Sequence, residues 1–110
     1  MPGKFELKKA KNNQFYFNLK ASNGEVILTS ERYLTRKNAK KGIAAVQKNA
    51  PEPTHFVQRT SRKGEPYFVL RAGNHQIIGT SEMYSAPKAM EKGIQSVQRT
   101  APGARVEDLS

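Results

Sequence analysis

Two hydrophobic periodicities follow one another along this chain, and the succession occurs twice. Over residues 5–29, apolar and polar side chains alternate between short turn-like segments, which predicts three strands with one buried face each. Over residues 39–50, apolar residues recur every three or four positions, which predicts an amphipathic helix. The same order returns over residues 56–80 and 90–101. The pattern therefore predicts two successive β-β-β-α units.

Residues suited to helix ends flank both predicted helices. Thr35 is the expected N-cap of the first helix, and Pro87 fits the first turn of the second, where its missing N–H would be unpaired anyway. Pro51 and Pro102 follow the helices and cannot continue them. Each helix also contains a glycine, which costs about 1 kcal/mol relative to alanine. We interpret these glycines as points where the helix packs closely on the sheet, in preference to ligand contacts.

Comparison of the chain with itself shows that the two units are copies. With a shift of 51 positions and no gap, residues 5–51 align with residues 56–102, and 19 of the 47 pairs are identical. Self-similarity at a fixed period is the signature of a repeat. We predict one domain over residues 1–110, with internal repeats at about 4–53 and 54–108. Each repeat is near the size at which a separate core becomes marginal, so the two should share a core.

The turn between the second and third strands should set their register. Asn23 and Gly24 both tolerate the positive φ of a type I′ turn, which predicts a two-residue hairpin loop. The pairs across such a hairpin would form one apolar face, Ala21 with Val26 and Leu19 with Leu28. Lys20, Ile27 and Thr29 would then lie on the other face. Asn74 and His75 take the same two positions in the second repeat.

Several of these segments resemble one known family. Residues 17–21 with Ser30, Glu31 and Tyr33, and residues 68–78 with Ser81, Glu82 and Tyr84, resemble the YegP-like family of uncharacterised bacterial proteins. The resemblance covers nearly the whole chain. It includes Lys41-Gly42-Ile43 and its copy, Lys92-Gly93-Ile94.

The resemblance implies a fold but no activity. The implied unit is β-β-β-α-β, present twice in one chain or once per subunit of a dimer, in a common sheet with exchanged C-terminal strands. A strand near Val106 would then lie beside the first repeat. The predicted fold class is α+β, with two helices packed on an antiparallel sheet and pseudo-two-fold symmetry between the repeats. No catalytic residue is carried over from the family.

The composition predicts a cationic protein and excludes sites that depend on cysteine. The 19 basic and 9 acidic side chains give a net charge of +10, which makes nucleic acid or another polyanion a plausible partner. The charge is unequal, at +7 (11 − 4) over residues 1–53 and +3 (8 − 5) over residues 54–110. The absence of cysteine excludes disulfides and cysteine-ligated zinc. With no apolar leader or membrane-length segment, we expect a cytoplasmic monomer, an internal pseudo-dimer, with no membrane partner.

The residue types needed for catalysis are sparse. His55 and His75 are the two imidazoles, neither is repeated, and Asp108 is the one aspartate. These residues form neither the triad of serine hydrolysis nor a zinc-binding spacing, and no phosphate-binding glycine motif occurs. We therefore expect no catalytic residue, no metal and no cofactor, and an enzyme is the least favoured function.

Two sets of residues are candidates for binding. The candidate polar cluster is the repeated Thr-Ser-Glu-x-Tyr segment, which comprises Ser30, Glu31, Tyr33, Ser81, Glu82 and Tyr84. These groups would either line a binding pocket, in which one of them could even act as a general acid, or hydrogen-bond to backbone at strand ends. We favour the hydrogen-bonding interpretation.

The second set is the candidate binding face, an exposed sheet surface with aromatic and cationic groups, Tyr16, Lys20, Tyr67 and Arg71. This composition is typical of a nucleic-acid platform, although a cationic surface that only aids solubility is the simpler interpretation. The leading hypothesis is a small non-catalytic interaction module, with nucleic-acid binding through this face as the alternative.

Overall fold

The computed structural model describes residues 3–110; Met1 and Pro2, which the predicted domain includes, lie outside the described residues. The elements of these residues are β1 (Lys4–Lys9), β2 (Phe15–Lys20), β3 (Val26–Ser30), α1 (Arg36–Asn49), β4 (Phe56–Thr60), β5 (Pro66–Arg71), β6 (Ile77–Thr80), α2 (Pro87–Thr100) and β7 (Arg105–Asp108). The predicted order of elements is therefore confirmed in both repeats.

Over residues 3–110 the strands form a single sheet in the order β4-β5-β6-β3-β2-β1-β7. The repeats meet at its centre, where β3 and β6 are antiparallel and Thr29 lies opposite Thr80. The α+β fold class with tandem repeats is confirmed. As the resemblance implies, β7 leaves the second repeat and joins the first, but it runs parallel to β1. After α1, the chain instead passes through a single 3-10 turn, Pro53–His55, into β4 of the second repeat, so the implied exchange of strands is not reciprocal.

One apolar layer lies between the sheet and the two helices. Its largest fully buried side chains come from both repeats: Phe5, Phe17, Phe68, Leu7, Leu19, Leu28, Leu70, Val46 and Val97. The helices begin as predicted, because the side chain of Thr35 accepts a hydrogen bond from the Asn38 amide (3.0 Å) and Pro87 is the first residue of α2. The opposite face of the sheet, here called the outer face, carries no helix within the described chain.

The predicted two-residue turn between β2 and β3 is wrong. The Ala21 amide donates to the Glu25 carbonyl (2.9 Å), which closes a loop of three residues, and only Gly24 of that loop has a positive φ, at 84°. This is a type I turn followed by a left-handed residue, a common hairpin loop that adds a bulge. The extra residue places Lys20, not Ala21, opposite Val26, and the bulge between Lys20 and Leu19 restores the predicted pairing of Leu19 with Leu28. Ile27 consequently joins the core.

The other three hairpins have the same loop. The left-handed position is taken by Asn13 (φ 65°), Gly64 (φ 83°) and His75 (φ 70°). In each loop the amide of that residue donates to the carbonyl three positions before it. His75 is therefore a turn residue whose backbone conformation favours glycine, as at the equivalent position of the first repeat.

Candidate functional site

The structure brings together four of the six residues of the candidate polar cluster. The two segments that contain them meet where β3 pairs with β6, and an open cleft of about 640 Å³ lies there. The four cluster residues that line it are Ser30, Glu31, Ser81 and Glu82, and the other lining residues are Glu25, Val26, Thr29 and Thr80. Tyr33 and Tyr84 do not line this cleft. They lie against the helices, so the cluster does not form one pocket.

The two serine hydroxyls of the cluster are bonded to the backbone. Ser30 Oγ accepts a hydrogen bond from the Phe17 amide (2.8 Å) and donates to the Glu31 carbonyl (2.7 Å). Ser81 repeats both bonds, with the Phe68 amide (3.0 Å) and the Glu82 carbonyl (2.8 Å). Both serines are buried. Each hydroxyl thus satisfies backbone groups at the end of a strand, which is the structural interpretation of the repeated motif.

The two tyrosines fill the space between the sheet and the helices. The Tyr33 ring stacks on Phe17, with centroids 6.3 Å apart and planes at 13°, and Tyr84 stacks in the same way on Phe68. A Cβ atom at Gly42 would overlap with the Tyr33 hydroxyl. The repeated helix glycines therefore permit a close approach of tyrosine to the helix backbone.

The environment of these tyrosines keeps their hydroxyls protonated. Burial raises the pKa of Tyr33, and the nearby charge of Glu31 raises it further. Burial likewise raises the pKa of Tyr84, with smaller contributions from Glu82 and Glu25. Because the ordinary pKa of tyrosine is already about 10, neither hydroxyl can act as a base near neutral pH.

The other titratable residues considered for catalysis lie apart. His55 Nδ1 is 3.0 Å from the Arg71 carbonyl oxygen, His75 lies in a hairpin loop, and Asp108 pairs with Arg36 at 3.4 Å. Over residues 3–110, no group of three or more His, Cys, Asp or Glu side chains could hold a metal ion. Glu31 and Glu82 are exposed to solvent. This geometry assembles no nucleophile with a base.

In the first repeat, the lysine of the candidate binding face is ion-paired with a glutamate that the sequence interpretation missed. Glu6 of β1 is only 5% exposed, and three lysine ammonium groups surround it, Lys20 at 3.1 Å, Lys4 at 3.3 Å and Lys8 at 3.5 Å. The Tyr16 ring is also covered, because the Arg32 guanidinium lies 4.6 Å from its centroid. Neither Lys20 nor Tyr16 is therefore a free contact group.

In the second repeat, the same face has no such counter-charge. The position of Glu6 is taken by Val57, and the position of Arg32 by Met83, which is 42% exposed. Within the described residues Arg59 and Arg71 form no ion pair, and the shielded Nε atom of Arg71 has no hydrogen-bond partner. Tyr67 lies directly opposite Arg59 in the β4–β5 ladder. The structure thus divides the predicted face into an ion-paired half in the first repeat and a half in the second repeat, here called the cationic half, whose arginines form no ion pair within residues 3–110.

The lysine cluster around Glu6 should make stability depend on pH. Burial acts to raise the pKa of Glu6, but hydrogen bonds from Lys20 and Lys4 and the charges of Lys20 and Lys8 outweigh it and lower the pKa. The folded state therefore favours the carboxylate. Its contribution to stability is complete above the unfolded pKa of about 4.3 and disappears as the pH falls through the lower folded pKa.

We expect Glu6→Gln to lower the free energy of unfolding at pH 7 by about 1 kcal/mol, since partly exposed ion pairs contribute little each. The difference from the wild type should shrink as the pH falls below about 4.3. Urea unfolding at several pH values measures both effects. Glu91→Gln is the matched control, because Glu91 is exposed on α2 and forms no ion pair within residues 3–110. An unchanged difference between pH 7 and pH 3 would contradict this account.

The fold and the site define a class of protein: a tandem-repeat α+β protein with one bare sheet face and no assembled reactive group in its described part. Two matches over residues 10–56 and 61–108 show that the chain belongs to the family described as domain of unknown function (DUF1508). The prediction from the resemblance is confirmed. None of the described helices has the length and apolar character needed to cross a membrane.

Relatives and solved structures match over nearly the full length. The UPF0339 protein YegP of Yersinia pestis is 51% identical over 108 residues, 98% of this chain and 96% of the relative. YegP of Escherichia coli K12 is 48% identical over 98% of both chains. The solution structure of the Escherichia coli protein, described as a protein of unknown function, has a TM-score of 0.94 and covers 99% of this chain and 94% of its own. The Shewanella oneidensis structure, at 48% identity, has a TM-score of 0.93 and covers 99% and 92%.

Proposed function

We propose that this protein is a non-catalytic binding module. The observation that carries the proposal is that the repeated polar residues make contacts within the fold. Ser30 and Ser81 bond to backbone, and Tyr33 and Tyr84 pack against helix glycines, so the best candidates for chemistry have structural roles. What the fold leaves free is the outer face of the sheet. A surface of this kind supports recognition of a partner rather than transformation of a substrate.

Affinity capture from native lysate tests this proposal when it is performed with and without nuclease. A binding module should retain a partner at reproducible stoichiometry. Retention after nuclease treatment would indicate a protein partner, and loss would indicate nucleic acid. The double variant Arg59→Glu with Arg71→Glu should reduce capture, because both changes alter the outer face and leave the core intact. Capture that is equal for this variant and the wild type would contradict a role for the outer face.

A second candidate function is polyanion binding by the cationic half of the outer face. One observation favours it: Arg59 lies opposite Tyr67, Arg71 lies four positions further along β5 on the same face, and neither arginine has a carboxylate in ion-pair contact among the described residues, whereas Lys20 is held by Glu6. Arginine beside a partly exposed aromatic ring suits phosphate contact and base stacking. The binding site would therefore lie in the second repeat, although the first repeat carries more net charge.

We expect wild-type binding to single-stranded oligonucleotides to weaken steeply with salt, by about 0.7 in log K per phosphate contact for each unit of log salt concentration. Arg59→Glu with Arg71→Glu should weaken binding about tenfold or more, because two phosphate contacts become repulsive. Lys41→Glu with Lys92→Glu makes the same charge change on the helices and should cost much less. Anisotropy titrations at about 50 mM salt compare the variants. Equal losses would indicate diffuse attraction, and absent wild-type binding would exclude this function.

A further inference from the structure

The two edges of the sheet are not equivalent. β1 is covered by β7, which runs parallel to it with Val106 opposite Phe5 and Glu107 opposite Glu6. The Leu109 amide, just past β7, donates to the Leu7 carbonyl at 2.8 Å. β4, the repeat equivalent of β1, is the opposite edge and pairs only with β5 among the described strands. One edge is therefore closed and the other is open.

The connectivity of the repeats explains why the chain does not cover β4. A shift of 51 positions places β7 over residues 54–57, so β7 follows α2 just as the start of β4 follows α1. In the described residues, one segment of this kind follows α2, and it pairs with β1. The consequence appears in burial: Phe5 and Leu7 are fully buried, whereas Phe56 is partly buried and Gln58 is exposed.

We propose that β4 binds an extended segment of a partner protein, added as a parallel strand, with an apolar residue opposite Phe56 followed by an acidic residue. The β1–β7 pair is the template. By repeat equivalence, the outward carbonyl of Leu7 corresponds to that of Gln58, so the open edge offers backbone groups for the main-chain bonds of strand addition. Specificity would come from the side chains on either face of the added strand.

Charge complementarity supports an acidic partner. In the closed edge, Glu107 of β7 lies on the outer face and pairs with Lys4 at 3.3 Å. In the open edge, Arg59 and Arg71 lie near Val57 and have no carboxylate in ion-pair contact within residues 3–110. An acidic side chain opposite Val57 would supply one. A second copy pairing through its own β4 would instead bring Arg59 of both copies to one interface without an acid, which is unfavourable.

This inference goes beyond the proposed function, because it concerns backbone pairing at the edge of the sheet, although Arg59 and Arg71 belong to both surfaces. The probe is a synthetic peptide with the sequence of residues 103–110, Gly-Ala-Arg-Val-Glu-Asp-Leu-Ser, added to the ¹⁵N-labelled full chain. We expect chemical-shift changes and slower amide exchange centred on Phe56 and Gln58, with weak, millimolar affinity. A peptide with lysine in place of its glutamate should bind about fivefold less tightly, as for loss and reversal of a partly exposed ion pair.

Two variants of the protein should lose the interaction for different reasons. Gln58→Pro removes an amide that, by equivalence with Leu7, points away from β5, so the fold should persist while strand addition fails. Arg59→Glu keeps the backbone and should weaken peptide binding about fivefold. Lys92→Glu is the charge-matched control on α2 and should change binding less than twofold.

Three results would overturn the inference. The first is an unperturbed β4 at about 5 mM peptide, about five times a dissociation constant of 1 mM. The second is perturbation confined to β1, which would mean that the peptide only replaces β7. The third is self-association through β4 without peptide, which would make a second copy the occupant. The titration contains no nucleic acid, so its outcome is independent of polyanion binding by the outer face.

Discussion

Gly42→Ala is expected to destabilise the protein by about 2 kcal/mol, as overpacking a filled site does, although alanine is the better helix former by about 1 kcal/mol. The added Cβ would overlap with the Tyr33 hydroxyl and approach the buried Phe17 ring. Tyr33 cannot move away without losing its stacking on Phe17. Gly93→Ala should behave alike, because Tyr84 takes the same place over Phe68. Urea unfolding followed by circular dichroism measures both changes.

Two comparisons separate this close contact from a general effect of glycine replacement. Gly73→Ala adds a Cβ with no atom within 4 Å, so stability should change little. Combining Gly42→Ala with Tyr33→Ala should cost less than the sum of the single changes, because the second substitution removes the atom that the first one meets. An increase in stability on Gly42→Ala would show that the tyrosine does not require glycine beneath it.

The same glycines show how far sequence could predict the site. Their repetition at helix positions where glycine is unfavourable indicates a close approach, and this inference needs only local propensity. The partner is a tyrosine nine positions earlier, and it belongs to a motif interpreted separately as a polar cluster. Local periodicity does not show where a loop side chain points after the strand ends. The contact therefore becomes visible only when β3, its following loop and α1 are assembled.

Glu6 shows a second limit of the pattern. Alternation correctly places Glu6 on the outer face of β1, where a polar residue is normally solvated. Its burial depends on Lys20 from the neighbouring strand and on Lys4 and Lys8 along its own strand. The one available signal was the difference between the copies, since Val57 replaces this acid while positive charge persists at the equivalents of Lys8 and Lys20. Basic residues that are present in both copies, with a carboxylate in only one of them, indicate that the outer face differs between the two repeats.

The predicted hairpin turn was wrong for a different physical reason, although Leu19 does lie opposite Leu28 as predicted. An Asn-Gly pair suits a two-residue loop, but the same residues also suit the last two positions of a three-residue loop. Asn23 Oδ1 accepts a hydrogen bond from the Glu25 amide (3.0 Å), which favours the longer loop. The element order and the helix ends were predictable because they follow from repeated local signals. The one-residue bulge was not predictable, because it depends on whether the hairpin closes with a two-residue or a three-residue loop.

Ser30→Ala and Ser81→Ala are each expected to lower the free energy of unfolding by about 1–3 kcal/mol, since each leaves a buried amide without its acceptor. The affected amides are those of Phe17 and Phe68, in the central parts of β2 and β5. Ser85→Ala is the control, because Ser85 is exposed. Thermal and urea unfolding give the free energies, and amide exchange at Phe17 and Phe68 identifies the bond that is lost.

The double variant distinguishes a structural role from a chemical one and also tests the predicted single domain. Because the repeats share one sheet and one core, the two losses should add within a single transition for residues 1–110. Separate transitions for the two repeats would mean that each unfolds on its own. If the serines served instead as ligands or nucleophiles in the central cleft, their removal would leave stability within about 0.5 kcal/mol of the wild type, as for surface substitutions. That result would contradict the structural role of the repeated motif, and its serine hydroxyls would again be candidates for ligand binding or catalysis.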